Sequence, residues 1–416
     1  MHPFTLLFLT AVLAALGLQL WLLHRQIRAV GRQREHLPTR FAPHIGVDDH
    51  RRAADYARDR ARFARVEATT DTLLLLAWTL GGGIALVDAM WRGFELGPIA
   101  TGTGVIASVL LASALVGLPL RAWRLFVIEE RYGFNRMTAR QFASDCLRGG
   151  LLSLSLALPL LALVLALMHV TGSGWWFWVW ALWMAFNAAL LWAWPRFLAP
   201  LFNRFEPLPD DALRARLERL VARCGFRSDG IQVVDGSRRS SHANAYFTGI
   251  GRSRRIVFYD TLLQQLAPHE LEAVLAHELG HFRHGHVRRM MLLSAGTSLV
   301  GLALLAGLMQ QPWFYHALGV PVASVHTALL LFLLGTPVVA LFLRPLVSRL
   351  SRRHEFEADT FAARHCPPEH LISALTTLYR ENAGTLTPDP LYAAFHDSHP
   401  PAGERIDHLQ AQTKNP

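Results

Sequence analysis

The chain is short of cysteine and short of charge. Cys146, Cys224 and Cys366 stand far apart among 416 residues, and none belongs to a C-x-x-C pair. So sparse and odd a set argues against a disulfide framework and against a thiolate metal site. Charged residues make up 17% of the chain and hydrophobic residues 52%, whereas soluble domains carry about a quarter charged residues. That deficit points to a membrane protein. Other absences narrow the field. No basic n-region precedes the first apolar run, Pro3–Leu23; Arg25, Arg28, Arg32 and Arg34 follow it instead, so an uncleaved membrane helix is expected rather than a removed signal. No Lys-Ser/Thr follows Gly81-Gly82-Gly83, which excludes a phosphate-binding loop and leaves a helix-packing notch or kink. The C-terminal Thr413-Lys414-Asn415-Pro416 carries no prenylation motif.

Apolar runs are plentiful. After Pro3–Leu23 come Thr72–Trp91, Thr103–Trp123, Leu151–Val170, Trp175–Phe197, Met291–Met309 and Val322–Leu343. Each suits a hydrocarbon core about 30 Å thick. The net charge of +10 could suggest nucleic-acid binding, but the basic residues group between the apolar runs, so no nucleic-acid partner is expected. Arginine crowds 24–70, 121–148, 204–290 and 344–416, while 92–102, 171–174 and 310–321 have almost none apart from Arg92. The two sets alternate as seven spans require. The positive-inside rule then sets the N-terminus outside, and the C-terminus and both large polar segments in the cytoplasm. Within 24–70, Arg51–Glu67 reads as an amphipathic helix leading into the second span. The run Trp175–Trp180 is expected to form an aromatic belt at the outer interface. Asp88, Asn187 and His326 lie in or near apolar spans, where polar groups line water or bond across helices.

The polar segments carry the chemistry. In 204–290, Asp210–Cys224 reads as an amphipathic helix, with strands at Ile231–Val234, Ala243–Gly249 and Ile256–Tyr259, the last two joined by a Gly-Arg-Ser-Arg turn. A helical pattern then holds His277-Glu278-Leu279-Gly280-His281. Histidines four apart share one helix face, so both rings can reach one zinc ion, with Glu278 facing its water as general base. A catalytic site needs a third protein ligand. Glu355, just after the seventh span and on the same side of the membrane, is the best candidate. Asp359, one turn on, could orient a ligand histidine through its ring N–H. Glu357 points elsewhere, and His284 and His286 read as bystanders or local hydrogen-bonding groups. His399 and Arg405, in the same soluble half, are possible donors for an oxyanion.

Several segments together resemble the CAAX prenyl protease type 1 family of integral-membrane zinc endopeptidases. Phe126–Asn135 is similar to that family's loop between the third and fourth spans, Pro200–Phe205 to its segment after the fifth, and Ser240–Phe247 with Arg255–Leu262 to its strand pair. His277, Glu278, His281, Glu355 and Asp359 fall on its metal and catalytic motif, and His399 and Arg405 on its C-terminal His-Pro…Arg motif. The resemblance implies a mainly α multi-pass protein: seven transmembrane helices enclose a chamber capped by a cytoplasmic α+β zincin-like domain, with one Zn2+ per chain. It also implies peptide or prenylated-peptide substrates bound as an added strand at Asn244, Ala245 and Tyr246. The expected division is 1–203 (spans one to five), 204–290 (first half of the protease domain), 291–343 (spans six and seven) and 344–416 (second half). Membrane lipid is the expected surroundings, and no obligate protein partner is evident. The alternatives are a membrane-protein quality-control protease of the stress-response kind, which has fewer spans, and a non-enzymatic channel or transporter.

Overall fold

The computed structural model describes residues 2–226, 230–250 and 253–414. The membrane half contains α1 (Pro3–Arg32), α2 (Val47–Trp78), α3 (Gly83–Arg92), α4 (Pro98–Trp123), α5 (Ala139–Val170) and α6 (Trp175–Ala193). A soluble segment follows, with β1 (Phe205–Pro207), α7 (Asp211–Arg223), β2 (Ile231–Val234), β3 (Ala245–Ile250), β4 (Ser253–Tyr259), α8 (Asp260–Gln265) and α9 (Pro268–Arg283). Then come α10 (His286–Leu308), α11 (Pro312–His316), α12 (Val325–His365), α13 (Pro368–Glu381), α14 (Pro390–His396) and α15 (Ala402–Lys414).

Six helical runs are long and apolar enough to cross a membrane, and a seventh forms if α2 and α3 count as one span bent by 50°. The bend falls at the glycine run expected to kink. Gly82 sits there at φ +77°, a left-handed backbone that glycine adopts without a Cβ clash. The amphipathic 51–67 segment is part of α2, continuous with the span it leads into. The last span is also longer than its apolar run: α12 continues unbroken for 41 residues, so the division expected at 343/344 falls inside a helix. That expected at 290/291 falls inside α10.

The spans form a closed ring, α1 against α2, then α3, α4, α5, α6, α10 and α12, which returns to α1. One end is plugged by an apolar cluster that includes Ile84, Ile106, Leu165, Leu305, Phe314 and Leu330. Mid-depth is different. No residue is buried over 110–123 of α4, 139–164 of α5, 180–193 of α6 or 287–301 of α10. A solid bundle would bury one stripe of every helix, so the ring is hollow between its ends. Asp88 and His326 tie α3 to α12 in the plugged end at 2.7 Å. Asn187 instead bonds its own helix at the Trp183 carbonyl. Of the aromatic run, Phe177 and Trp178 are exposed, Trp175 is packed into the plug, and Trp180 donates to the Ala295 carbonyl of α10.

The soluble part closes the other end. Its sheet runs β1-β2-β4-β3, with β2 and β4 parallel and the outer pairs antiparallel. β3 is therefore an edge strand, as expected. β1 was not expected: three residues beginning Phe-Glu-Pro carry no alternation. The Gly-Arg-Ser-Arg turn lies partly outside the described residues. Leu217 and Leu220 of α7, Phe258 of β4, Leu271, Leu275 and Leu279 of α9, and Phe361 and Leu409 share one core. That core buries the apolar face of α9 and turns its histidine face toward α12.

Candidate metal centre

α9 begins with Pro268, whose missing N–H is no loss at a helix start. Glu270 accepts from the Ala267 N–H at 2.8 Å. Ten residues on, Gly280 lets α12 come close: a Cβ there would lie 2.9 Å from Ala358 Cα. This contact brings Glu355 beside the two histidines. His277 Nε2 and His281 Nε2 are 3.2 Å apart. Glu355 Oε2 is 3.5 Å from the first and Glu355 Oε1 is 3.3 Å from the second. The three residues offer one atom each within 4.8 Å of one another. Glu355 Oε2 is buried with no hydrogen-bond partner. A buried carboxylate oxygen left unpaired is costly, and a cation between the three groups would satisfy it. Two imidazoles and a carboxylate suit a zinc site with one open position, so the residues present fit the metal.

The groups behind these donors orient them. His277 Nδ1 meets Asp359 Oδ1 at 2.8 Å, which directs Nε2 at the site. Asp359, fully buried, is held in turn by Arg405, through Nε at 2.8 Å and Nη2 at 2.6 Å. Arg405 Nη1 lies 3.6 Å from Glu355 Oε2. Arg405 thus turns its fork on the ligand shell. The residue suggested by the sequence as a possible oxyanion donor is here paired with two carboxylates. Burial opposes the charge on Arg405, but Asp359 outweighs that and raises its pKa. Burial would likewise push the His277 ring down; the bonds to Asp359 and Glu355 prevail and hold it up at about 9 in the absence of metal. Burial raises the Glu278 carboxyl above its ordinary range.

His399 lies beside the third donor. It is exposed, and its Nε2 stands 3.4 Å from Glu355 Oε1. Asn244 is exposed at the start of β3, and its carbonyl accepts from Tyr259 N–H at 3.0 Å. Ala245 pairs with Phe258 and Tyr246 with Val257 of β4, so their other backbone edge points away from the sheet. Glu357 bonds His286, Arg289 and Arg353, clear of the three donors. Of the two roles expected for His286, it takes that of a local hydrogen-bonding group: it is buried, with Nδ1 2.9 Å from His281 Nδ1. Nothing local in the sequence marks that contact, because it depends on the turn at Gly285.

The same architecture recurs in known proteins. Residues 26–204 match the family model described as the CAAX prenyl protease N-terminal domain with five membrane helices, and residues 207–413 match peptidase family M48. A CAAX prenyl protease 1 homolog of Oryza sativa subsp. japonica is 33% identical, over 90% of this chain and 91% of its own length. CAAX prenyl protease 1 of Saccharomyces cerevisiae is 29% identical over 99% and 97%. The crystal structure of S. mikatae Ste24p superposes with a TM-score of 0.92 at 28% identity, covering 98% of this chain and 99% of that one. The closed ring of spans, the His-His-Glu cluster and these matches agree, and the chain belongs to the CAAX prenyl protease 1 family of M48 metallopeptidases, as a multi-pass integral membrane protein.

Proposed function

We propose that this chain is a zinc-dependent endopeptidase that processes the C-terminal region of prenylated peptides at the cytoplasmic end of its hollow ring. One observation carries the proposal: two histidine Nε2 atoms converge on the buried Glu355 carboxylate, whose Oε2 makes no hydrogen bond among the described residues. His277, His281 and Glu355 hold the ion, one per chain. Zinc, when bound there, supplies Lewis acidity, acidifying a water and polarising a carbonyl oxygen.

The chain's own groups do the rest. Glu278 takes the proton of the attacking water and delivers it to the leaving amine; its raised pKa makes it the stronger base for that task. His399 Nε2, 3.4 Å from Glu355 Oε1, donates to the oxygen on which negative charge develops. Asp359 fixes the His277 tautomer, and Arg405 fixes Asp359. An extended peptide adds by backbone hydrogen bonds along β3 at Asn244, Ala245 and Tyr246, taking the Ala245 N–H over from the Asn244 side-chain oxygen that holds it at 2.9 Å. That edge demands no particular side chains, so discrimination for a prenyl group has to come from elsewhere in the ring. The clustering of arginine on one side of the spans supports a cytoplasmic site, with the N-terminus outside. The division of the protease domain into 204–290 and 344–416 follows: spans six and seven bring its halves together.

The test is cleavage of a farnesylated CAAX peptide by purified protein, with a chelator and after zinc is returned. Cleavage is expected to fall to background with chelator and to recover with zinc. Cleavage that persists in chelator would remove the metal from the reaction. Equal cleavage of the unprenylated peptide would remove the prenyl group from the specificity.

A further inference from the structure

We propose that His286 and Glu357 form a hydrogen-bonded relay that locks the second histidine of the metal centre in its metal-binding tautomer. The inference rests on the zinc reading above and concerns residues to which that reading gives no part.

The geometry fixes the direction of every proton. His281 Nε2 faces His277 and Glu355, so a metal there needs the lone pair of that nitrogen. The proton of a neutral imidazole then sits on Nδ1. His281 Nδ1 lies 2.9 Å from His286 Nδ1. Two ring nitrogens can bond only if one donates and the other accepts. His286 Nδ1 is therefore the acceptor, and its own proton sits on Nε2. That nitrogen lies 3.0 Å from Glu357 Oε2, a carboxylate that can only accept when ionised. Arg289 and Arg353 reach the same carboxylate at 3.2 and 3.0 Å and keep it charged. Each bond in the chain from His281 to Glu357 has one donor and one acceptor, and no other assignment of neutral rings has both while leaving His281 Nε2 free.

The local fold is built for this contact. Gly285, at φ +64°, ends the turn between α9 and α10. It folds His286 back onto a ring only five residues earlier. There the ring stacks on His354 of α12, centroids 4.0 Å apart. His354 directly precedes Glu355, so the stack ties the relay to the third donor. The two histidines are thus braced by different devices: Asp359 directly on His277, and an imidazole in front of a carboxylate on His281. Partners of this kind orient a ligand and raise its basicity, and removing one weakens metal binding about 10–100-fold. His286 and Glu357 are positioning residues in this scheme, since neither reaches the reacting atoms.

The test uses full-length detergent-purified protein and reads zinc affinity by chelator competition, not activity. His286→Phe keeps a flat ring on the His354 stack and removes the acceptor. His286→Asn keeps an oxygen near the Nδ1 position. Zinc affinity is expected to fall about 10–100-fold in His286→Phe and to return to within a fewfold of wild type in His286→Asn. Glu357→Ala should weaken binding in the same direction. A merely structural role would lower the thermal midpoint of the metal-free protein in both His286 variants and follow size rather than acceptor. Wild-type affinity in His286→Phe, or equal loss in His286→Asn, overturns the relay while leaving the zinc centre standing. Absence of zinc binding in the wild type overturns both.

Discussion

Glu278→Gln is expected to leave the protein folded and zinc-loaded while slowing peptide cleavage about 10²–10⁴-fold, the usual contribution of a positioned general base. The substitution preserves shape. Glu278 lies between the two histidines in sequence on α9, and among the described residues no ion pair or hydrogen bond uses its carboxylate. Burial already opposes its ionised form, so a neutral amide costs the fold little. On the proposed mechanism, what is lost is the carboxylate that takes the water proton. Glu355 lies among the histidine Nε2 atoms, and Asp359 is spent on His277 and Arg405. Turnover of the farnesylated peptide and zinc content, measured on the same preparation, check this. Turnover at the wild-type rate would place the base elsewhere.

Arg405→Leu is expected to cost about 3–5 kcal/mol, the penalty for removing one partner of a buried ion pair. Asp359 is fully buried and Arg405 nearly so, and the substitution removes two bonds of 2.6 and 2.8 Å to Asp359. The loss should extend to the metal, because an unclamped Asp359 no longer holds the His277 ring. Arg405→Lys restores the charge but not the fork, so an intermediate effect is expected. The thermal midpoint and zinc content of the purified variants decide it. A leucine variant that melts with the wild type and keeps its zinc would show that the clamp is dispensable.

The sequence made much of this visible because the signals were periodic. Apolar runs mark the spans, and i, i+4 spacing marks both His277/His281 and Glu355/Asp359. The strand at Ala243–Gly249 was legible from its pattern, and its place at the sheet edge only from family resemblance. What stayed hidden depends on contacts between distant residues. Arg405 and Asp359 are 46 residues apart, and His286 and Glu357 are 71 apart. No local pattern links either pair. The hollow of the ring was implied only by resemblance, since an apolar helix lining a cavity reads like one packed in a core. The continuity of α12 was obscured because its composition changes from apolar to charged where it leaves the spans, although its backbone does not break.

That continuity is what the account depends on most. Leu330 packs in the apolar plug and Glu355 sits at the metal donors on the same helix, about 38 Å apart at 1.5 Å per residue. One helix therefore runs from the far end of the ring to Glu355, and α10 begins five residues after His281. Metal analysis of the wild type and of Glu355→Ala tests this directly. One zinc per wild-type chain and close to none in Glu355→Ala is the expected result. Full zinc stoichiometry in Glu355→Ala would contradict a centre built jointly by α9 and α12.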